Sequence, residues 1–105
     1  MKSQFQEVLD EIVRRIVEIA HPQKVILFGS AARDLTKAAN DIDLLVVKKG
    51  AQRRRLAGEI YKNLIGVGCA VDIVVVTPED VERYKNSSCL VIEPALREGV
   101  VLYAA

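Results

Sequence analysis

Val25-Ile26-Leu27-Phe28-Gly29-Ser30, then ten intervening residues, then Asp41-Ile42-Asp43-Leu44-Leu45-Val46-Val47 form the stretch around which the chain is organised. The apolar run Val25–Phe28 has the length and β-branched content of a buried strand, and it stops at a Gly-Ser pair. Such a pair is an ordinary turn, but it also suits an anion. Gly29 lets the backbone approach without a Cβ, Ser30 adds a hydroxyl, and a helix starting at Ser30 or Ala31 would aim free N–H groups at a phosphate. In the second run, strand alternation puts Asp41 and Asp43 on one face, about 7 Å apart along the backbone. An Asp opening a strand is commonplace. Asp43 is not, because charged residues are depleted from strands and four apolar residues follow it. A third run, Ala70-Val71-Asp72-Ile73-Val74-Val75-Val76, repeats the pattern with Asp72 inside what reads as a fully buried strand. Carboxylates gathered in this way repel unless a cation lies between them, and Mg²⁺ takes hard oxygen ligands together with substrate phosphates.

Gly29-Ser30, ten residues, Asp41-x-Asp43 and a later strand Asp72 resemble the signature of the polymerase-β-like nucleotidyltransferases. The length and the residues Gly29-Ser30-x-Ala32-Arg33 are most similar to the minimal nucleotidyltransferases, small prokaryotic proteins often paired with a HEPN-type toxin. The likeness covers nearly the whole chain. It departs at Asp34, where the family usually has Gly, and at Asn40, where it often has Ser; a carboxylate at position 34 facing inward would repel a triphosphate.

A length of 105 residues bounds the chain to one domain, spanning 1–105, with half its residues hydrophobic. The net charge of +1 gives no overall attraction to nucleic acid. Cys69 and Cys89 fall in no metal-ligand spacing, which fits a reduced, cytoplasmic protein. No signal-peptide pattern and no membrane-spanning apolar run is present, so no membrane association is expected.

Residues from about Ser3 to Ala20 read as an amphipathic helix with Phe5, Val8, Leu9, Ile12, Val13, Ile16 and Ile19 on one side, a Ser3/Gln6 capping box at its start and His21-Pro22 at its end. His21, the sole histidine, is either a helix C-terminal residue suited to the dipole or a catalytic or metal group. Ala31 to Leu35 form a short helix, with Thr36 to Asn40 as the return loop. Arg33, one turn beyond Ser30, faces either the phosphate site or an acidic partner such as Asp34 or Asp10. A second long helix runs from about Ala51 to Leu64, burying Leu56, Ile60 and Leu64, with Tyr61 a candidate fourth. Lys48, Lys49, Arg53, Arg54 and Arg55 at its start are a solvated face, a nucleic-acid contact or a dock for an acidic protein; without interleaved aromatics, nucleic acid is not favoured. Thr77-Pro78-Glu79-Asp80 starts a short helix. A last helix starts at Ser87 or Ser88, or near Pro94, and ends at Gly99 before a strand Val100–Tyr103.

This order gives an α/β domain. The resemblance implies the two-layer nucleotidyltransferase fold, with a small mixed β-sheet and helices packed mainly on one face. It further implies two Mg²⁺ ions, or Mn²⁺, held by Asp41, Asp43 and Asp72; ATP phosphates held by Gly29, Ser30 and Arg33; and Asp72 positioning the acceptor hydroxyl. With no second domain expected, the acceptor arrives on a partner or is bound in a homo- or hetero-oligomer. The resemblance implies transfer of AMP to a tyrosine of a HEPN-type toxin, the chain acting as antitoxin. Two other readings are a non-catalytic subunit that neutralises its partner by occlusion, and nucleotidyl transfer to RNA or a small molecule.

Overall fold

The computed structural model describes residues 4–29, 32, 41–87 and 92–105, with Asp41 described by its backbone alone. Along the chain run α1 (Gln4–Ala20), β1 (Lys24–Phe28), β2 (Asp41–Val47), α2 (Arg53–Asn63), β3 (Ala70–Val76), α3 (Pro78–Tyr84), α4 (Ile92–Glu98) and β4 (Val100–Ala104). The strands form one mixed sheet in the order β3-β2-β1-β4. β1 is antiparallel to β2 and to β4, while β2 and β3 are parallel, joined by the crossover helix α2.

The long helices occupy one face. Phe5, Leu9, Ile12, Ile16 and Ala20 of α1 and Ile60 of α2, with the adjoining Leu64, bury Val25 and Leu27 of β1, Ile42, Leu44 and Val46 of β2, and Ile73 and Val75 of β3. That face carries the larger core, as the helical and strand periodicities require. On the opposite face Ile92 and Ala95 of α4 close over Ile26, Leu45, Val47 and Val76, flanked by Val81 and Tyr84 of α3. Each covered side chain of this size contributes roughly 1.5–3 kcal/mol by leaving water. Among the described residues no helix is long and apolar enough to cross a membrane.

Local chemistry explains the ends. Thr77 and Asp80 form a reciprocal capping box with Pro78 at the first helical position, and Gln52 caps α2 by accepting from the Arg55 N–H at 3.0 Å. Pro94 falls in the first turn of α4, where its missing N–H has no helical acceptor to lose. The Ser88 start lies outside the described residues, as do Ser3 and Cys89. His21 takes φ +46°, donates its N–H to the Val17 carbonyl at 3.0 Å and accepts from Lys48 Nζ at 3.1 Å, so its backbone closes α1. Arg15 couples the long helices by donating to the carbonyls of Asn63, the last residue of α2, and Ile65, just past it, at 3.1 and 3.3 Å.

Two expectations change. Tyr61 is 43% exposed rather than part of the buried stripe. Its hydroxyl accepts the Ile73 N–H at 2.8 Å, satisfying a donor on the outer edge of β3. Nor is β3 fully buried: as an edge strand it is covered at Ile73, Val75 and Val76, while Ala70 and Asp72 are exposed.

Candidate active site

Polarity changes along one face of β2 and β3. The buried positions Leu45 and Val47 on β2, and the neighbouring Val74 and Val76 on β3, lie under α3 and α4; continuing along that face towards the start of each strand, the next positions are Asp43 and Asp72. The pairing is parallel and in register, Asp43 beside Asp72 and Asp41 beside Ala70. Neighbouring strands lie about 4.8 Å apart, so the carboxylates of Asp43 and Asp72 start side by side on one face. Asp43 is half-buried and Asp72 exposed. The strand placement of these charges, odd in a buried sheet, is tolerated because this corner opens to solvent.

On its other side Asp43 pairs with Phe28, the last residue of β1, and the chain then turns through Gly29 at φ +77°. The carboxylate folds over that turn, with Asp43 Oδ2 2.5 Å from where a Cβ on Gly29 would stand. The Ala32 N–H donates to the Gly29 carbonyl at 3.2 Å, closing the turn. Ala32 is the one described residue of the short helix expected from Ala31 to Leu35. Ser30, Arg33, Asp34 and Asn40 lie outside the described residues, and Asp41 is placed by its strand position alone.

The described structure therefore brings together Gly29, Asp43 and Asp72, with Asp41 two positions along β2 from Asp43. Asp43 and Asp72 offer hard oxygen donors, which suit Mg²⁺ or Mn²⁺ rather than a thiolate- or imidazole-seeking metal. Among the described residues no group of three His, Cys, Asp or Glu side chains assembles a metal site. The two carboxylates fit a divalent ion that completes its shell with substrate oxygens and water. Cys69, the residue before β3, packs on the larger core, and burial pushes its thiol pKa up, away from nucleophile chemistry. His21 stands at the start of β1, the end remote from Gly29.

The basic run lies at the far end of β2. Arg53 bridges to Asp80 at 3.3 Å, Arg55 approaches Glu59 at 3.7 Å, and Lys48 bonds the His21 carbonyl. The capping bonds from Thr77, reinforced by Arg53 and Arg83, hold the Asp80 carboxyl below the usual range. Much of this run thus ties elements together, as a solvated structural face would. What sequence reasoning missed is the neighbour of Gly29: no local signal tells that Asp43, fourteen positions later, fills the space of its absent side chain.

This fold defines a class. A chain of the Shewanella oneidensis complex of a tri-AMPylated HEPN toxin with an MNT antitoxin superposes with a TM-score of 0.67 at 19% identity, covering 97% of this chain and 74% of that one. A putative nucleotidyltransferase from Sulfolobus solfataricus gives 0.61 at 23% identity, covering 93% and 78%, and a toxin–antitoxin structure with AMP-PNP gives 0.63 at 19%, covering 91% and 73%. At these identities the likeness establishes the fold. The family follows from the sequence: the nucleotidyltransferase-domain model matches residues 7–102, and the chain belongs to that family. No curated protein matches the chain.

Proposed function

We propose that the protein transfers AMP from ATP to a tyrosine hydroxyl of a HEPN-type partner protein and thereby acts as its antitoxin. The observation that carries this reading is the in-register pair Asp43–Asp72 beside the Gly29 turn, in a chain whose nucleotidyltransferase match spans it. The exposure of Asp72 on an edge strand favours a macromolecular acceptor, since a tyrosine on another protein can reach it without entering a cavity. Structural neighbours that are toxin–antitoxin complexes, one carrying an AMPylated toxin, support the choice of partner.

In this reading Gly29 and Ser30 hold the β- and γ-phosphates and Arg33 adds positive charge. Asp41, Asp43 and Asp72 hold divalent cations, Mg²⁺ or Mn²⁺, whose chemistry when bound is to neutralise the triphosphate. Asp72 accepts the phenolic proton. The tyrosine oxygen forms a bond to the α-phosphorus, the bond from that phosphorus to the β-phosphate bridging oxygen breaks, and pyrophosphate leaves.

Incubation with the partner, ATP and Mg²⁺ should add one or more AMP masses to partner tyrosine and lower its nuclease activity. Asp41→Asn or Asp43→Asn should slow transfer at least about a hundredfold, the usual loss for one preorganised electrostatic contact. Ser30→Ala should be milder, because backbone N–H groups remain. If the double aspartate variant neutralises the partner as well as wild type, with no mass added, neutralisation is by occlusion and transfer is not the function.

A further inference from the structure

Glycine in a Gly-Ser turn invites the explanation that a phosphate needs its bare backbone. The geometry points to a different requirement: we infer that Gly29 is a positioning residue for Asp43, kept free of a side chain because the Asp43 carboxylate stands where that side chain would be. This deepens the proposed function, on which its catalytic consequence rests.

Three observations converge. Phe28 and Asp43 are direct cross-strand partners, so the residue after Phe28 is carried past the Asp43 side chain. Gly29 adopts φ +77°, a conformation in which an L side chain is strained. A Cβ there would meet Asp43 Oδ2 at 2.5 Å and Cγ at 3.4 Å, whereas Asp43 Cβ, at 3.6 Å, would be in ordinary contact. The conflict falls on the carboxylate and not on the strand. An aspartate relieves it by turning about χ1, which leaves the strand in place and moves the oxygens from the position they hold over the turn. A methyl group at position 29 therefore redirects Asp43.

The two roles of Gly29 predict different kinetics. If its bareness serves the phosphate, Gly29→Ala weakens ATP and raises KM. If it serves Asp43, kcat falls about a hundredfold, the loss expected when a group is misplaced by about 1 Å, and any rise in KM for ATP accompanies that fall, because Asp43 also holds the cation that meets the triphosphate. A rise in KM at unchanged kcat overturns the inference. The apo protein supplies a readout that needs no activity: three-bond carbon and nitrogen couplings measured by NMR report the Asp43 χ1 rotamer. In Gly29→Ala that rotamer should change while the Asp72 rotamer and the amide spectrum of β2 and β3 stay as in wild type. An unchanged Asp43 rotamer overturns the proposal. Should Gly29→Ala fail to fold, combining it with Asp43→Ala, which removes the obstructing atoms, should restore folding; failure to do so places the cost in the backbone and refutes the role assigned to Asp43. If wild type transfers no AMP, the proposed function falls, and the rotamer measurement still decides whether Gly29 positions Asp43.

Discussion

Gly99 follows α4 and leads directly into β4, packed against the strand that delivers the Gly29 turn. A Cβ at this position would overlap the Ala95 carbonyl oxygen, stand 2.5 Å from Ile26 Cγ2 and 3.0 Å from the Leu27 carbonyl oxygen. Two of the three obstacles are backbone, and neither can swing aside as a side chain can. The Gly99 N–H also donates to the Ala95 carbonyl at 2.8 Å, so opening the contact strains the bond that closes α4. Overpacking of this kind costs about 1–3 kcal/mol and a weakened hydrogen bond about 1 more, for a sum of roughly 2–4 kcal/mol in Gly99→Ala. At about 4–8 °C per kcal/mol for a domain of this size, the melting temperature should fall by roughly 8–32 °C. Urea unfolding followed by circular dichroism reads the loss as a lower midpoint at unchanged slope. A midpoint equal to or above that of wild type would refute the packing described for the α4–β4 junction.

The same replacement at Gly58, in the middle of α2 with nothing within 4 Å of an added Cβ, should instead raise stability by about 0.5–1 kcal/mol, through better helix propensity and a less flexible unfolded chain; the same urea titration checks it. Hydrogen bonds from Arg14 and then Arg15 pull the Glu11 carboxyl down to about 2 from its ordinary 4.5. Because the folded value is the lower one, this stabilisation is complete above about pH 4.5 and lost as the pH falls towards 2. Melting curves of wild type and Glu11→Gln should therefore converge across that window and stay parallel above it. Arg54, exposed at the start of α2, should leave AMP transfer per bound partner unchanged when replaced by Ala, and any loss of partner affinity, read by titration, should shrink as salt rises.

Local pattern was enough for much of this protein. Apolar runs of four to seven residues located the β1, β2 and β3 segments, three- and four-residue spacing located α1 and α2, and Thr77-Pro78-x-Asp80 marked the start of α3, because each of these depends on residues within a turn or two of one another. Strand alternation likewise put Asp41 and Asp43 on a common face, a consequence of backbone geometry alone. What local pattern cannot specify is which residue of one strand lies beside which residue of another. Asp43 and Asp72 are twenty-nine positions apart, and their neighbourhood exists because β2 and β3 pair in parallel with α2 as the crossover. A shift of one residue would have turned Asp72 to the opposite face. The exposure of Asp72 depends on β3 being an edge strand, that of Tyr61 on its reach to the Ile73 N–H, and the need for glycine at position 29 on where Asp43 comes to rest. The chain's own periodicity chose its elements and the chemistry they carry. Register and edge position, set by burial summed over the whole sheet, decided which of those groups meet.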